Sequence, residues 1–155
     1  MDGKGPQGQW LDAFLPAWRL RQADRIAVAA PPDKAWAVVR AIDLYRFGFV
    51  RSLFGLRTWP DRLGGRGGAL PKSMTLDDIA AGPAPGFRIL REEPGREIVL
   101  GAIGQVWQAR IPFREVDAED WAAFQEPGYV KVAWNLSAGP GPQGGTILGV
   151  EVRVG

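Results

Sequence analysis

The stretch DRIAVAAPPDKAWAVVRAI, residues 24–42, changes its hydrophobic period in the middle. Over 24–30 the residues alternate, with Ile26 and Val28 on one side and Arg25 and Ala27 on the other, as in a half-buried strand. Pro31, Pro32 and Asp33 stop that strand and open a helix. A proline in the first helical turn loses only an N–H that has no intrahelical partner, and Asp33 sits at the positive end of the helix dipole. Ala35, Val38, Val39 and Ile42 then fall at i, i+3, i+4 and i+7, an apolar stripe flanked by Trp36. The pattern predicts a strand over 24–30 and a helix over 32–42.

Downstream, a second helix is expected over 45–56, with Phe47, Val50 and Phe54 on one face and Gly48 and Gly55 weakening it. Residues 59–71 read as a loop around Gly64, Gly65, Gly67 and Gly68. Its spacing is not that of a phosphate-binding loop, because no strand precedes it and no capped helix follows. From residue 73 the chain reads as strands, beginning with a short one over 73–77. Segments 87–93 and 96–104 flank Pro94 and Gly95, the residues favoured at the two centres of a type II turn. Pairing Glu93 with Arg96 sets Phe87 opposite Ala102, Ile89 opposite Leu100 and Arg91 opposite Ile98, on the face expected to meet the core. The other face carries Arg88, Leu90, Glu92, Glu97 and Val99. A helix is expected over 118–125, opened by a capping-box-like pair, and strands over 129–138 and 146–154. Val130, Val132, Trp134 and Leu136 share one face, as do Leu148, Val150, Val152 and Val154. Tyr129, Lys131 and Asn135 are expected in solvent, with Glu151 and Arg153 placed to pair with Lys131 or Tyr129 there.

With 155 residues, 46% of them hydrophobic and 23% charged, the chain has the length and composition of one globular domain. It contains no Cys and no His, which removes disulfides, thiol nucleophiles, imidazole bases and thiolate or imidazole zinc sites. No metal site and no cofactor is implied. Residues 1–72 hold twelve Lys or Arg against six Asp or Glu, and residues 73–155 hold seven against eleven. Arg40, Arg46, Arg51, Arg57, Arg62 and Arg66 recur singly among apolar residues. They read as a solvated face rather than a nucleic-acid footprint, because no basic cluster interleaves with aromatics. No apolar window is long enough to cross a membrane. Residues 1–20 lack the uninterrupted apolar run of a secretion signal, so a cytoplasmic protein is expected.

The order of one strand, two helical segments and a run of antiparallel strands is that of an α+β domain. Ala30-Pro31-Pro32-Asp33-Lys34-Ala35-Trp36 resembles, beyond that order, the first strand-to-helix junction of the START-like SRPBCC superfamily. EPGREIVLG at 93–101 and EPGYVKVAWN at 126–135 resemble the later strands of one bacterial branch of it. The resemblance spans residues 11–154 in element order. It implies a helix-grip fold, a curved antiparallel sheet enclosing an apolar cavity, as a single domain over 1–155. Members of that superfamily finish with a long helix across the concave sheet, and no such element follows the last strand here. Val150, Val152 and Val154 are therefore expected to leave an apolar face for a second copy, a partner helix or a lipid. Residues 10–20 are not expected to cover it as a long helix, because Pro16 interrupts them.

The resemblance implies binding or carriage of a hydrophobic small molecule or lipid. Ile89, Leu100, Val132, Trp134, Leu148 and Val150 are the candidate lining residues, and their periodicity equally suits a filled core. An enzyme of the polyketide cyclase or dehydratase kind is the alternative. Glu126, Tyr129, Lys131 and Asn135 are its candidate proton-handling group, although strand parity sets the last three on the wet face. A module binding a protein or an anionic surface is the third class.

Overall fold

The computed structural model describes residues 9–43, 73–81, 86–105, 107–108 and 112–155. The helix expected over 45–56, the whole glycine-rich loop and the arginines from Arg46 to Arg66 lie outside the described residues.

Six strands form one curved, open antiparallel sheet, and helices accompany it in an α+β arrangement. The strands are β1 (Leu20–Val28), β2 (Arg88–Glu93), β3 (Glu97–Gly104), β4 (Phe113–Arg114), β5 (Val130–Pro140) and β6 (Thr146–Val154). Their order is β1-β6-β5-β3-β2, with β4 also paired to β3. The described helices are α1 (Gln9–Phe14), α2 (Pro32–Ala41), α3 (Leu76–Ala80) and α4 (Ala118–Trp121).

The strand before Pro31 runs from Leu20 to Val28 rather than over 24–30, and it is not half-buried. Ile26 is 62% exposed, because β1 is an edge strand whose only described partner is β6. Helix α2 starts at Pro32 as expected, but its buried residues are Ala35, Trp36 and Val39, while Val38 faces outward. The helix has turned so that its largest apolar side chain, Trp36, is the one removed from water, which outweighs burying a valine.

The strand expected over 73–77 is instead the start of α3. Thr75 and Asp78 close a reciprocal capping box, the Asp78 carboxylate accepting from the Thr75 N–H at 2.7 Å and the Thr75 hydroxyl accepting from the Asp78 N–H at 3.3 Å. Leu76 and Ile79, three apart, are then both buried on one side.

Around Pro94 and Gly95 the hairpin forms as expected, with Gly95 at φ +78° and the Arg96 N–H donating to the Glu93 carbonyl at 3.0 Å. Both features belong to a type II turn. Ile89 opposes Leu100 as predicted. Nearer the turn Glu93 opposes Glu97, Glu92 opposes Ile98 and Arg91 opposes Val99, because a bulge at Leu90 absorbs one residue. The helix expected over 118–125 is shorter, ending at Trp121, although the Phe124 N–H still reaches the Asp120 carbonyl at 3.1 Å. Its first residue carries no side-chain cap, since Asp117 pairs with Arg88 instead.

Both faces of the sheet are covered at its centre, along β3 and β5, where one wet face was expected. β3 is buried along its whole length and β5 from Val132 to Ala138. The inner face, on the side of α2, carries Ile98, Leu100, Ala102, Trp134, Leu136 and Ala138 against Trp36, Val39, Met74, Leu76, Ile79 and Phe87. On the outer face Leu90, Val99, Ile103 and Ala133 pack against Leu11, Leu15 and Trp121. Gly101 makes room for this second layer, because a Cβ there would lie 2.9 Å from the Trp121 ring. The segment broken by Pro16 therefore does supply a helix, but a short one on the opposite face from Val150 and Val152.

Candidate functional site

The inner face gathers all six residues expected to line a cavity. Strand register sets Ile89, Leu100, Trp134 and Val152 abreast in one row across four strands. Val132 lies in the next row beside Ala102, Val150 in the row on the other side beside Leu136, and Leu148 one row further beside Ala138. Leu100, Val132 and Trp134 are buried. Ile89, Leu148 and Val150 are half-buried and pack against the core from the flanks. Beyond Leu148 the face continues onto exposed Ile26, and beyond Val154 onto exposed Leu20. Burial thus falls off across the sheet from β3 to β1, and on β1 polar Gln22 and Asp24 stand between Leu20 and Ile26, opposite Val152 and Val150.

Two polar atoms interrupt this apolar region. The indole Nε1 groups of Trp36 and Trp134 are buried and have no hydrogen-bond partner among the described residues. Trp134 is held edge-on to Phe87, with ring centroids 6.4 Å apart and planes at 83°. An unmet buried donor costs about 1–3 kcal/mol, so two of them in one core are a standing penalty that a suitable acceptor would remove. The sequence marked Trp134 as inward-facing and Trp36 as a flank of the helix stripe, but periodicity carries no information on whether an indole N–H finds a partner.

Among the described residues, two of the concavities that border the sheet are large enough for a small molecule. One of about 430 Å³ opens where β2 and β4 leave a gap along β3, between Phe87, Ile89, Ala102, Arg114 and Trp121. Of the six candidate residues only Ile89 touches it. The other, an open groove of about 920 Å³, runs between the β2–β3 and β5–β6 turns past Arg25, Arg96 and Ile147.

The outer face holds a buried polar chain that pins α1 to the sheet. Asn135 donates to the Glu97 carboxylate at 2.7 Å and accepts from the Glu151 N–H at 3.0 Å. Glu151 receives Arg21 at 2.8 Å and Arg153 at 2.7 Å. Arg153, buried rather than in solvent with Lys131, also reaches the Leu15 carbonyl at 3.0 Å and the Asp12 carboxylate at 2.6 Å. Burial pushes the Glu97 carboxyl above its ordinary value, against the opposing pull of hydrogen bonds from Asn135 and the Trp10 backbone. For Glu151 burial acts upward too, but hydrogen bonds and charge from Arg21 and Arg153 outweigh it and hold the carboxyl low.

The two shifts act oppositely on stability. A carboxyl whose folded value is raised contributes fully below its unfolded value and loses that contribution as pH rises through the folded one. Glu97→Gln removes this dependence and leaves that of Glu151 in place. Its stability relative to the parent is therefore expected to improve as pH rises from the ordinary carboxylate range through the folded value of Glu97, and to level off above it. Urea midpoints of the two proteins measured across a pH series check the slope, and a difference flat with pH would show that the fold does not raise the Glu97 carboxyl.

The proton-handling group considered for an enzyme is not brought together. Glu126 pairs with Arg114 at 2.8 Å, and the same guanidinium lies 5.3 Å from the centre of the Tyr129 ring. Lys131 donates to the Ala122 carbonyl at 2.9 Å at the end of α4, and partial burial lowers its pKa. Asn135 is committed to Glu97 beneath α1. It is 2% exposed, not solvated, because the helix that covers it lies more than a hundred residues away in sequence. Among the described residues no cluster of three or more acidic side chains is placed to hold a metal ion, and no helix is long and apolar enough to cross a membrane. No protein-family model matches this chain, and no curated protein does.

Proposed function

We propose that this protein binds or carries an apolar or aromatic small molecule against the inner face of its sheet, in the manner of the START-like, helix-grip proteins that its sequence resembles. The observation that carries this reading is the inner face itself. It runs through Ile89, Leu100, Trp134 and Val152, grows more accessible toward β6, and meets polar side chains, Gln22 and Asp24, only on the edge strand β1. Such a surface binds by removing apolar area from water, at roughly 25 cal/mol per Å².

The test is titration of the folded protein with hydrophobic naphthalene fluorophores and long-chain lipids, following probe and tryptophan emission and sedimentation of the same samples. Saturable binding near one ligand per chain is expected, weakened at least tenfold by Val150→Asp, which places a charge on the face. A folded protein that binds no probe and sediments as a dimer would overturn the carrier reading in favour of self-association through the same surface. A monomer that binds no probe would leave the face as ordinary core.

A further inference from the structure

We propose that the free edge of β1 docks an extended acidic segment of another protein, which joins the sheet as an antiparallel strand and sets carboxylates against Arg25 and Arg21. This goes beyond the carrier reading and does not depend on it.

The Gly155 N–H donates to the Lys131 carbonyl at 3.0 Å, and the Lys131 N–H donates to the Gly155 carbonyl at 2.9 Å. Gly155 thus turns its backbone groups toward β5. That direction alternates along a strand, so Val154, Val152, Val150 and Leu148 turn theirs toward β1. Leu20, Gln22, Asp24 and Ile26 answer them in an unbroken register. The N–H and C=O groups of Arg21, Ala23, Arg25 and Ala27 are therefore directed away from the sheet, where no described strand meets them. Natural sheet edges are commonly closed by shortness, a proline, a bulge or a covering element. β1 has nine residues, no proline and no shift in register, and its residues from Leu20 to Ala27 are exposed.

A second copy fits this edge poorly. Antiparallel pairing of two β1 strands centred on Ala23 sets Arg21 against Arg25 of the other copy. Centred on Asp24 it brings the two Asp24 carboxylates together, and centred on Arg25 the two guanidiniums. Centres nearer either end leave much of the strand unpaired. Like charges directly opposite are destabilising, so the strand carries its own bar to self-pairing. The same charges favour an acidic partner. Arg25 has no hydrogen bond or ion pair among the described residues. Arg21 gives its Nε and one terminal nitrogen to Glu151, and a guanidinium has further donors to offer. Both arginines stand on the outer side of the strand. Exposed Leu20 and Ile26 stand on the inner side, with Gln22 and Asp24 between them. The strand that fits carries two carboxylates on one side and, on the other, apolar residues flanking a lysine and a threonine.

The test uses the peptide Ile-Glu-Lys-Val-Thr-Glu-Val with blocked ends, titrated into the folded protein by calorimetry while amide exchange is followed in proton–nitrogen spectra. In the free protein the amides of Ala23 and Arg25 are expected to exchange faster than those of Gln22 and Asp24, and saturating peptide is expected to protect them. Replacing both glutamates of the peptide by glutamine is expected to weaken binding about fivefold. Arg25→Glu is expected to weaken the acidic peptide about tenfold, and a peptide with lysine in place of its first glutamate regains affinity for that variant. Ala23→Pro removes an outward N–H that β6 does not use, and is expected to abolish binding with the fold retained. Slow exchange at Ala23 and Arg25 without peptide would show the edge already covered, by a second copy where sedimentation gives a dimer, and would overturn the proposal. So would a peptide that fails to bind, binds without protecting those amides, or binds equally without its glutamates. None of these readouts involves the inner face, so failure here leaves the carrier reading standing.

Discussion

Truncating Trp134 to alanine is expected to cost about 3–5 kcal/mol of unfolding free energy, the usual range for a large aromatic removed from packed surroundings. Trp134 is 2% exposed and lies in the centre of the inner face, flanked along its row by Leu100 and Val152 and met edge-on by Phe87. The surrounding side chains sit on strands and on α2, which cannot collapse far into the space an indole leaves, so most of the cavity persists. A domain retains only about 5–15 kcal/mol, so the variant is expected at the edge of folding. Urea unfolding with an unchanged dependence on denaturant measures the loss. Trp134→Phe keeps a ring against Phe87 and deletes the unpaired N–H, and is expected to cost far less than the alanine variant. A loss below about 1 kcal/mol for alanine would mean that the indole borders open space rather than packed neighbours.

Arg153→Met is expected to cost about 3 kcal/mol and to release α1 from the outer face. The guanidinium is 4% exposed and holds three groups at once: Glu151 on its own strand, Asp12 of α1 and the carbonyl of Leu15 just beyond that helix. Removing the cation leaves the Leu15 carbonyl without its donor and Glu151 with Arg21 alone. Losing one member of a buried pair costs about 3–5 kcal/mol, and the surviving Arg21 contact places the expectation at the low end. Methionine fills much of the volume, so the loss reports the polar contacts rather than a void. Hydrogen exchange at the Leu15 amide, which donates to the Leu11 carbonyl at 2.9 Å, provides the local readout. Faster exchange there, with β3 still protected, is the expected result. Unchanged exchange would show that Leu11 and Leu15 hold α1 without help from Arg153.

The elements that local chemistry specifies were legible. Pro31, Pro32 and Asp33 set the start of α2 whatever packs on it. Pro94 and Gly95 set the first hairpin turn. The alternation through Val130, Val132, Trp134 and Leu136, and through Leu148, Val150 and Val152, assigned one face of two strands correctly. Thr75 and Asp78 carried an equally local capping signal that length obscured, since a five-residue helix offers too few positions for a period to show. The bulge at Leu90 left no such trace, and it moved half of the predicted register by one residue.

By itself the sequence determined the α+β class, the hairpin turn at Pro94 and Gly95, and that Val132, Trp134, Leu136, Leu148, Val150 and Val152 share one side of their strands, because each depends on residues within a few positions of one another. Tertiary structure alone decided that the opposite side is also covered. Lys131, Ala133, Asn135 and Ser137 alternate as a solvated face would, and nothing near them in the chain contradicts that. Ala133 and Asn135 are buried on that side because Leu11, Leu15 and Trp121 pack there against Val99, Ile103 and Ala133. The burial of Glu97 and Asn135 and the unmet N–H groups of Trp36 and Trp134 are likewise outcomes of distant contacts. Whether a polar atom has a partner depends on what the folded chain brings within about 3 Å of it, and residue spacing does not encode that distance.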